Sequence, residues 1–186
     1  MPCLLGIRPG EMYFTTADRL IRQHPLVKDA VLSARSYGAV LELCLADATI
    51  NLISNWDGKL QSISVSHYTQ NIGCNVVLPA DLVIPPHSLG NRLGTIGDLI
   101  ERFGPPSKIQ FSLRDSHPNR LYFATQNMMI KLTVNASVHG AHLDPDDPIE
   151  FLAVSQPDSN TYQSMMMNGT QWRGFTSLGR YMQNAR

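Results

Sequence analysis

The chain has 186 residues, 43% of them hydrophobic and only 16% charged, and its fifteen basic side chains balance fifteen acidic ones. That length and apolar content suit one domain or two small ones with a real core. The even charge excludes the basic footprint of a nucleic-acid-binding protein and anything polybasic for an anionic membrane surface, and no apolar run approaches the roughly 18 residues of a spanning helix.

The opening "MPCLLGIRPG" has no basic n-region and too short an apolar run for a signal peptide. An extracytoplasmic or envelope location is expected if a targeting segment once preceded it, and a cytoplasmic one otherwise. Apolar residues at helical spacing, Ala17, Leu20 and Ile21, predict a short first helix. It opens on Thr15-Thr16-Ala17-Asp18, a T-x-x-D start with the form of a capping box, and stops at His24-Pro25. Alternating stretches then predict strands in "KDAVLSAR", "AVLELCL", "TINLIS" and "KLQSISV", with Asp57-Gly58 as the hairpin turn before the last. Residues 67–89, containing "NVVLPADLVIPPH", read as an extended, proline-rich connector.

A second helix is expected from Thr95-Ile96-Gly97-Asp98, with Ile96, Leu99, Ile100 and Phe103 on its apolar face and "FGPP" as its stop. Strands follow in "SKIQFSLR", "RLYFAT", "MMIKLTV" and "IEFLAVS". Residues 157–186 form a polar, Met-bearing tail in which Trp172 and Phe175 are the natural anchors.

Shifted by 80 residues, the chain meets itself without a gap over positions 10–55, with eleven identities. Gly10, Thr15, Asp18, Arg22, Pro25 and Lys28 fall on Gly90, Thr95, Asp98, Arg102, Pro105 and Lys108. Ile50, Leu52 and Asn55 fall on Ile130, Leu132 and Asn135. Chance would give about three at typical composition. The expectation is an α+β fold of two tandem copies, each a short helix plus an antiparallel meander of about four strands, helices on one face, the copies packed side by side. The copies occupy residues 7–66 and 90–156, joined by the connector 67–89 and followed by the tail 157–186.

"IRPGEM…TADRLIRQHP" and "LGTIGDLIERFGPP" resemble the G-short helix-G-x-P signature of the outer-membrane assembly lipoprotein family (SmpA/OmlA), and a tandem pair of such units is similar to the beta-lactamase inhibitory protein superfamily. The resemblance implies small helices packed on an antiparallel sheet, and action by binding other proteins. Its departure lies in the first copy, where His24 stands in place of the glycine before Pro25.

"HGAHLDPDD", residues 139–147, is the densest polar cluster, and His139, His142 and Asp144 are the candidate metal ligands. Their spacing fits no established site, so a solvated loop is expected, with no metal and no cofactor. No G-x-S-x-G, Cys-His pair or phosphate-binding loop is present, and catalysis is not expected. Cys3, Cys44 and Cys74 have no metal spacing and read as small buried or free thiols, a Cys44–Cys74 bridge being the alternative. The expected function is non-catalytic protein binding, as an extracytoplasmic or envelope accessory. The alternative is a small ligand or metal held in the groove between copies or by the loop 139–147. Alternation puts Glu42, Asn51, Arg120, Tyr122, Met129 and Lys131 on the sheet face away from the helices, a composition suited to a partner protein, and Trp56 near a hairpin tip.

Overall fold

A computed structural model describes residues 4–67, 88–89, 93–110, 119–123, 128–132, 143–156 and 169–175, with the side chains of Asn119, Ile130, Lys131 and Leu132 excepted. Its elements run α1 (Phe14–Gln23), β1 (Ser33–Tyr37), β2 (Val40–Cys44), β3 (Ala48–Ser54), β4 (Leu60–His67), α2 (Ile96–Phe103), β5 (Lys108–Gln110), β6 (Asn119–Phe123), β7 (Met128–Leu132), β8 (Ile149–Ser155) and β9 (Thr170–Gln171). All nine strands belong to one sheet in the order β1-β2-β3-β4-β8-β7-β6-β5-β9, and every neighbouring pair is antiparallel.

This corrects the expectation of two tandem helix-plus-meander copies packed side by side. β4 and β8 are hydrogen-bonded neighbours, Ser62 to Ser66 pairing with Ser155 to Phe151. The strands therefore form a single nine-stranded antiparallel sheet accompanied by two short helices, which fits the α+β class only loosely.

The sheet has one strongly apolar face. Leu41, Leu43, Ile50, Leu52, Ile63, Val65, Leu152, Val154, Leu121, Phe123 and Ile109 share it by register, and all are buried. Ala17 and Ile21 of α1 and Ile96 and Leu99 of α2 join the same core, so both helices cover this face. Ile100 and Phe103 pack at its margin, whereas Leu20 is exposed and takes no part in it.

The two helix starts differ. At α2 the capping box forms: Asp98 N donates to Thr95 Oγ1 at 3.3 Å, and Thr95 N donates to Asp98 Oδ2 at 2.8 Å. At α1 it does not. The helix begins two residues earlier, with Tyr13 at the cap and no side-chain cap bond, so Thr15, Thr16 and Asp18 all lie within it. Asp18 instead pairs with Arg22 one turn on, at 2.6 Å.

Each helix is tied down by backbone from the loop that precedes a central strand. Phe14 N donates to Gly58 O at 2.9 Å, and Leu60 N donates to Met12 O at 3.0 Å. Gly97 N donates to Pro145 O at 2.8 Å, Ile96 N to Asp147 O at 3.1 Å, and Ile149 N to Gly94 O at 3.1 Å. These carbonyls satisfy donors that a helix start leaves orphaned. Gly97 is needed for the approach, since a Cβ there would stand 3.0 Å from Pro145 O. The loop holding the His/Asp cluster is thus partly structural.

The tail adds an element that alternation does not reveal. β9 extends the sheet beyond β5, and Trp172 N donates to Ser107 O at 3.3 Å. Trp172 packs against the core and meets Phe175 edge-on, ring centres 5.5 Å apart.

Thr95→Ala should cost about 1 kcal/mol of stability in urea unfolding, whereas Thr15→Ala should gain roughly a few tenths of a kcal/mol, because one threonine caps a helix and the other lies exposed inside one, where alanine is the better helix former.

Candidate functional site

The face away from the helices carries the binding candidates. One cross-strand row runs Arg35–Glu42–Asn51–Ser64–Ala153–Met129–Tyr122–Lys108–Gln171, touching every strand. Glu42, Asn51, Met129 and Tyr122 therefore share a line, while Lys131 and Arg120 are paired in the adjacent row. Glu42, Asn51, Arg120 and Met129 are half-buried. The side chain of Lys131 lies outside the described residues.

Tyr122 differs from expectation. It is fully buried, and Cys44, Thr49, Ser64 and Ala153 on the same face are buried as well. This part of the sheet is not open to solvent, and Tyr122 is not an exposed anchor. Its hydroxyl stands 3.4 Å from Met129 Sδ and 3.5 Å from Gln110 Oε1. Burial pushes the phenol up to about 12, with the nearby Arg120 guanidinium pulling weakly the other way. At neutral pH Tyr122 is therefore a neutral donor within a Gln110–Arg120–Met129 surround.

Cys44, in the row next to Glu42, is disulfide-bonded. This corrects the reading of free thiols. The other two cysteines of the chain, Cys3 and Cys74, lie outside the described residues. Glu42 Oε1 is 3.9 Å from Cys44 Sγ, a contact and not a hydrogen bond, because a bridged sulfur carries no proton.

The metal candidates are divided. His139 and His142 lie outside the described residues. The Asp144 carboxylate accepts from Asp146 N at 3.0 Å, and that of Asp147 accepts from Asp144 N at 2.9 Å, so both shape the turn that meets α2. Among the described residues no group of three or more His, Cys, Asp or Glu is placed to hold a metal ion.

Trp56 stands apart from all of these, with 97% of its surface exposed. It sits in the β3–β4 hairpin, where Asn55 N donates to Lys59 O at 2.9 Å and Lys59 N to Asp57 Oδ1 at 3.0 Å. The loop is further fixed by its backbone bonds to α1. Two more exposed aromatics lie at this end of the sheet, and sequence alternation does not single them out. Tyr13, 59% exposed, bridges to Lys59 across the loop. Tyr37, 53% exposed, closes the neighbouring β1–β2 hairpin, whose Ala39 O accepts from Ser54 N at 2.8 Å. Their only sequence signal is position: Tyr13 stands just before a helix, and Tyr37 just before Gly38. Val40 and Ile53, half-buried, continue the row from Tyr37. An aromatic and aliphatic rim thus occupies one end of the first four strands.

No family model, curated protein or solved structure matches the chain.

Two measurements test these assignments. Tyr122 ionises near 10 when unfolded and near 12 when folded, so the folded state retains its proton longer. Stability should be flat with respect to this group below pH 10 and fall between 10 and 12, with a slope of at most about 1.4 kcal/mol per pH unit from it. Urea unfolding across that range should show the fall reduced in Tyr122→Phe. Thiol titration of the denatured, unreduced chain should find one free cysteine, rising to three on reduction, and Cys44→Ala should lose about 2–4 kcal/mol.

Proposed function

We propose that the protein is a non-catalytic protein-binding module, and that its contact surface is the end of the sheet carrying Tyr13, Tyr37 and Trp56. The observation that carries this reading is the 97% exposure of Trp56 on a loop held by backbone hydrogen bonds. An indole left in water forgoes the burial that would otherwise stabilise the fold, and large aromatic side chains are the commonest anchors of protein interfaces. Held on a fixed hairpin, it loses little freedom when a partner covers it. Tyr13 and Tyr37 extend the surface with rigid, amphipathic rings, and Val40 and Ile53 supply its aliphatic part.

The binding role is also the one implied by the resemblance of "TIGDLIERFGPP" to the assembly-lipoprotein signature. We place the protein in an oxidising, extracytoplasmic compartment as an accessory factor, on the ground of the Cys44 disulfide.

The test compares wild type and Trp56→Ala side by side as baits in host extract, followed by affinity measurement on the captured protein. Trp56→Ala should weaken that affinity by about 30-fold or more, as expected for an interface hot spot. Its unfolding curve should stay within about 0.5 kcal/mol of wild type, because the side chain supports no core contact. Equal affinity for both baits would remove Trp56 from the interface.

A further inference from the structure

Tyr122 brings a buried hydroxyl against a sulfur atom. The phenol keeps its proton at neutral pH, because burial pushes it up to about 12. The Arg120 guanidinium donates to the phenol oxygen, so the O–H itself needs an acceptor. Two stand near. Gln110 Oε1 is 3.5 Å away, beyond the ordinary O–H···O range of about 2.5–3.0 Å. Met129 Sδ is 3.4 Å away, a normal separation for the larger sulfur atom. The proton therefore goes to Met129. A thioether is a weak acceptor, so this buried donor is only partly satisfied.

The described methionines differ in what an added oxygen would meet. Met129 is half-buried on the face away from the helices, opposite Tyr122 in the ladder. Met128 points the other way, opposite Val154, and is buried in the apolar core. Met12 is half-buried like Met129, and packs against that core. Oxidation of methionine ordinarily disrupts packing, because it turns a flexible apolar side chain into a polar one. At Met129 a hydrogen-bond donor already stands against the sulfur.

We propose that Met129 is an oxidation site whose product the fold accepts: hydrogen peroxide converts its thioether to the sulfoxide, and the Tyr122 hydroxyl donates to the new oxygen. The sulfur lone pair attacks one peroxide oxygen, and the S–O bond forms as the O–O bond breaks. The departing hydroxide takes the proton of the transferred oxygen and leaves as water, so sulfur gives up two electrons and the peroxide gains them. Rotation about the flexible methionine bonds brings the oxygen to the hydroxyl. A weak hydrogen bond is exchanged for a strong one, which offsets the cost of burying part of a polar group. The face away from the helices gains polarity at β7, while the core behind it is left as it was.

The experiment exposes the intact protein to a small excess of hydrogen peroxide, and fragment-ion mass spectrometry places the added oxygen on each methionine. In the folded chain Met129 should oxidise about tenfold or more faster than Met128, and in urea the two rates should converge. Urea unfolding before and after oxidation then isolates the effect of Met129, as the difference between chains with and without Met129→Leu. With Tyr122 in place, that difference should change the unfolding constant by less than about threefold. With Tyr122→Phe it should grow by about a further fivefold to tenfold, the loss of one hydrogen bond. In the unsubstituted protein the NMR resonances of the Tyr122 ring should shift on oxidation, and in Met129→Leu they should stay in place.

Equal oxidation of Met128 and Met129 in the folded chain overturns the site. An equal loss of stability with and without Tyr122→Phe overturns the part given to the hydroxyl. Should Tyr122→Phe fail to fold, unmoved Tyr122 resonances in the oxidised, unsubstituted protein overturn it as well.

Discussion

The pairing of β4 with β8 is the constraint on which the architecture depends. Ser64 meets Ala153 across it, 89 residues later in the chain. Without that ladder the strands on either side would each present an additional edge, and the core would divide. With it, Ile63 and Val65 stand beside Val154 and Leu152 in the middle of one continuous apolar face. On the reverse face the same ladder brings together Ser62, Ser64, Ala153 and Ser155, with Ser66 facing Phe151 at its far end. A contact of such long sequence separation is slow to form, because the intervening chain must be ordered before it is rewarded.

The helices depend on this centre through backbone. The loop before β4 supplies Gly58 O to α1, and the loop before β8 supplies Pro145 O and Asp147 O to α2. Helices of ten and eight residues are too short to persist alone. Their apolar stripes need the sheet, and their starts need these carbonyls. The loop that presents the exposed indole is the one that fixes α1, so the proposed contact surface is tied by backbone hydrogen bonds to the start of that helix.

Local pattern made much of this readable. Alternation located β2, β3, β4 and β8 nearly to the residue, and Thr95 and Asp98 announced the α2 capping box. The same motif misled at Thr15 and Asp18, because Tyr13, tied to the β3–β4 loop, sets the start of α1 there. The number of sheets was not readable. The residues that make β4 and β8 good strands are equally good on an edge or in the centre, and nothing local states their partner. The candidate site was legible in part. Asp57-Gly58 placed Trp56 at a hairpin tip, but Tyr122 alternates with Leu121 and Phe123 as a surface residue would, and its burial comes from tertiary structure. Tyr13 and Tyr37 gain their meaning only from the hairpins that bring them beside Trp56.

A nine-stranded open sheet also has a shape of its own. Neighbouring strands rotate by about 20–25° relative to one another, and eight successive steps accumulate to about 160–200° between β1 and β9. The outer surface therefore turns through roughly half a revolution from one edge to the other. Trp56, in the β3–β4 loop, lies nearer the middle of the sheet, whereas Tyr37 on the edge strand and Arg120 six strands further on look out in directions about 120–150° apart. A flat or rigid partner can engage only one of the two at a time. Simultaneous contact with both requires a molecule that wraps around the twist, or two separate molecules, each seeing a different side of the same sheet.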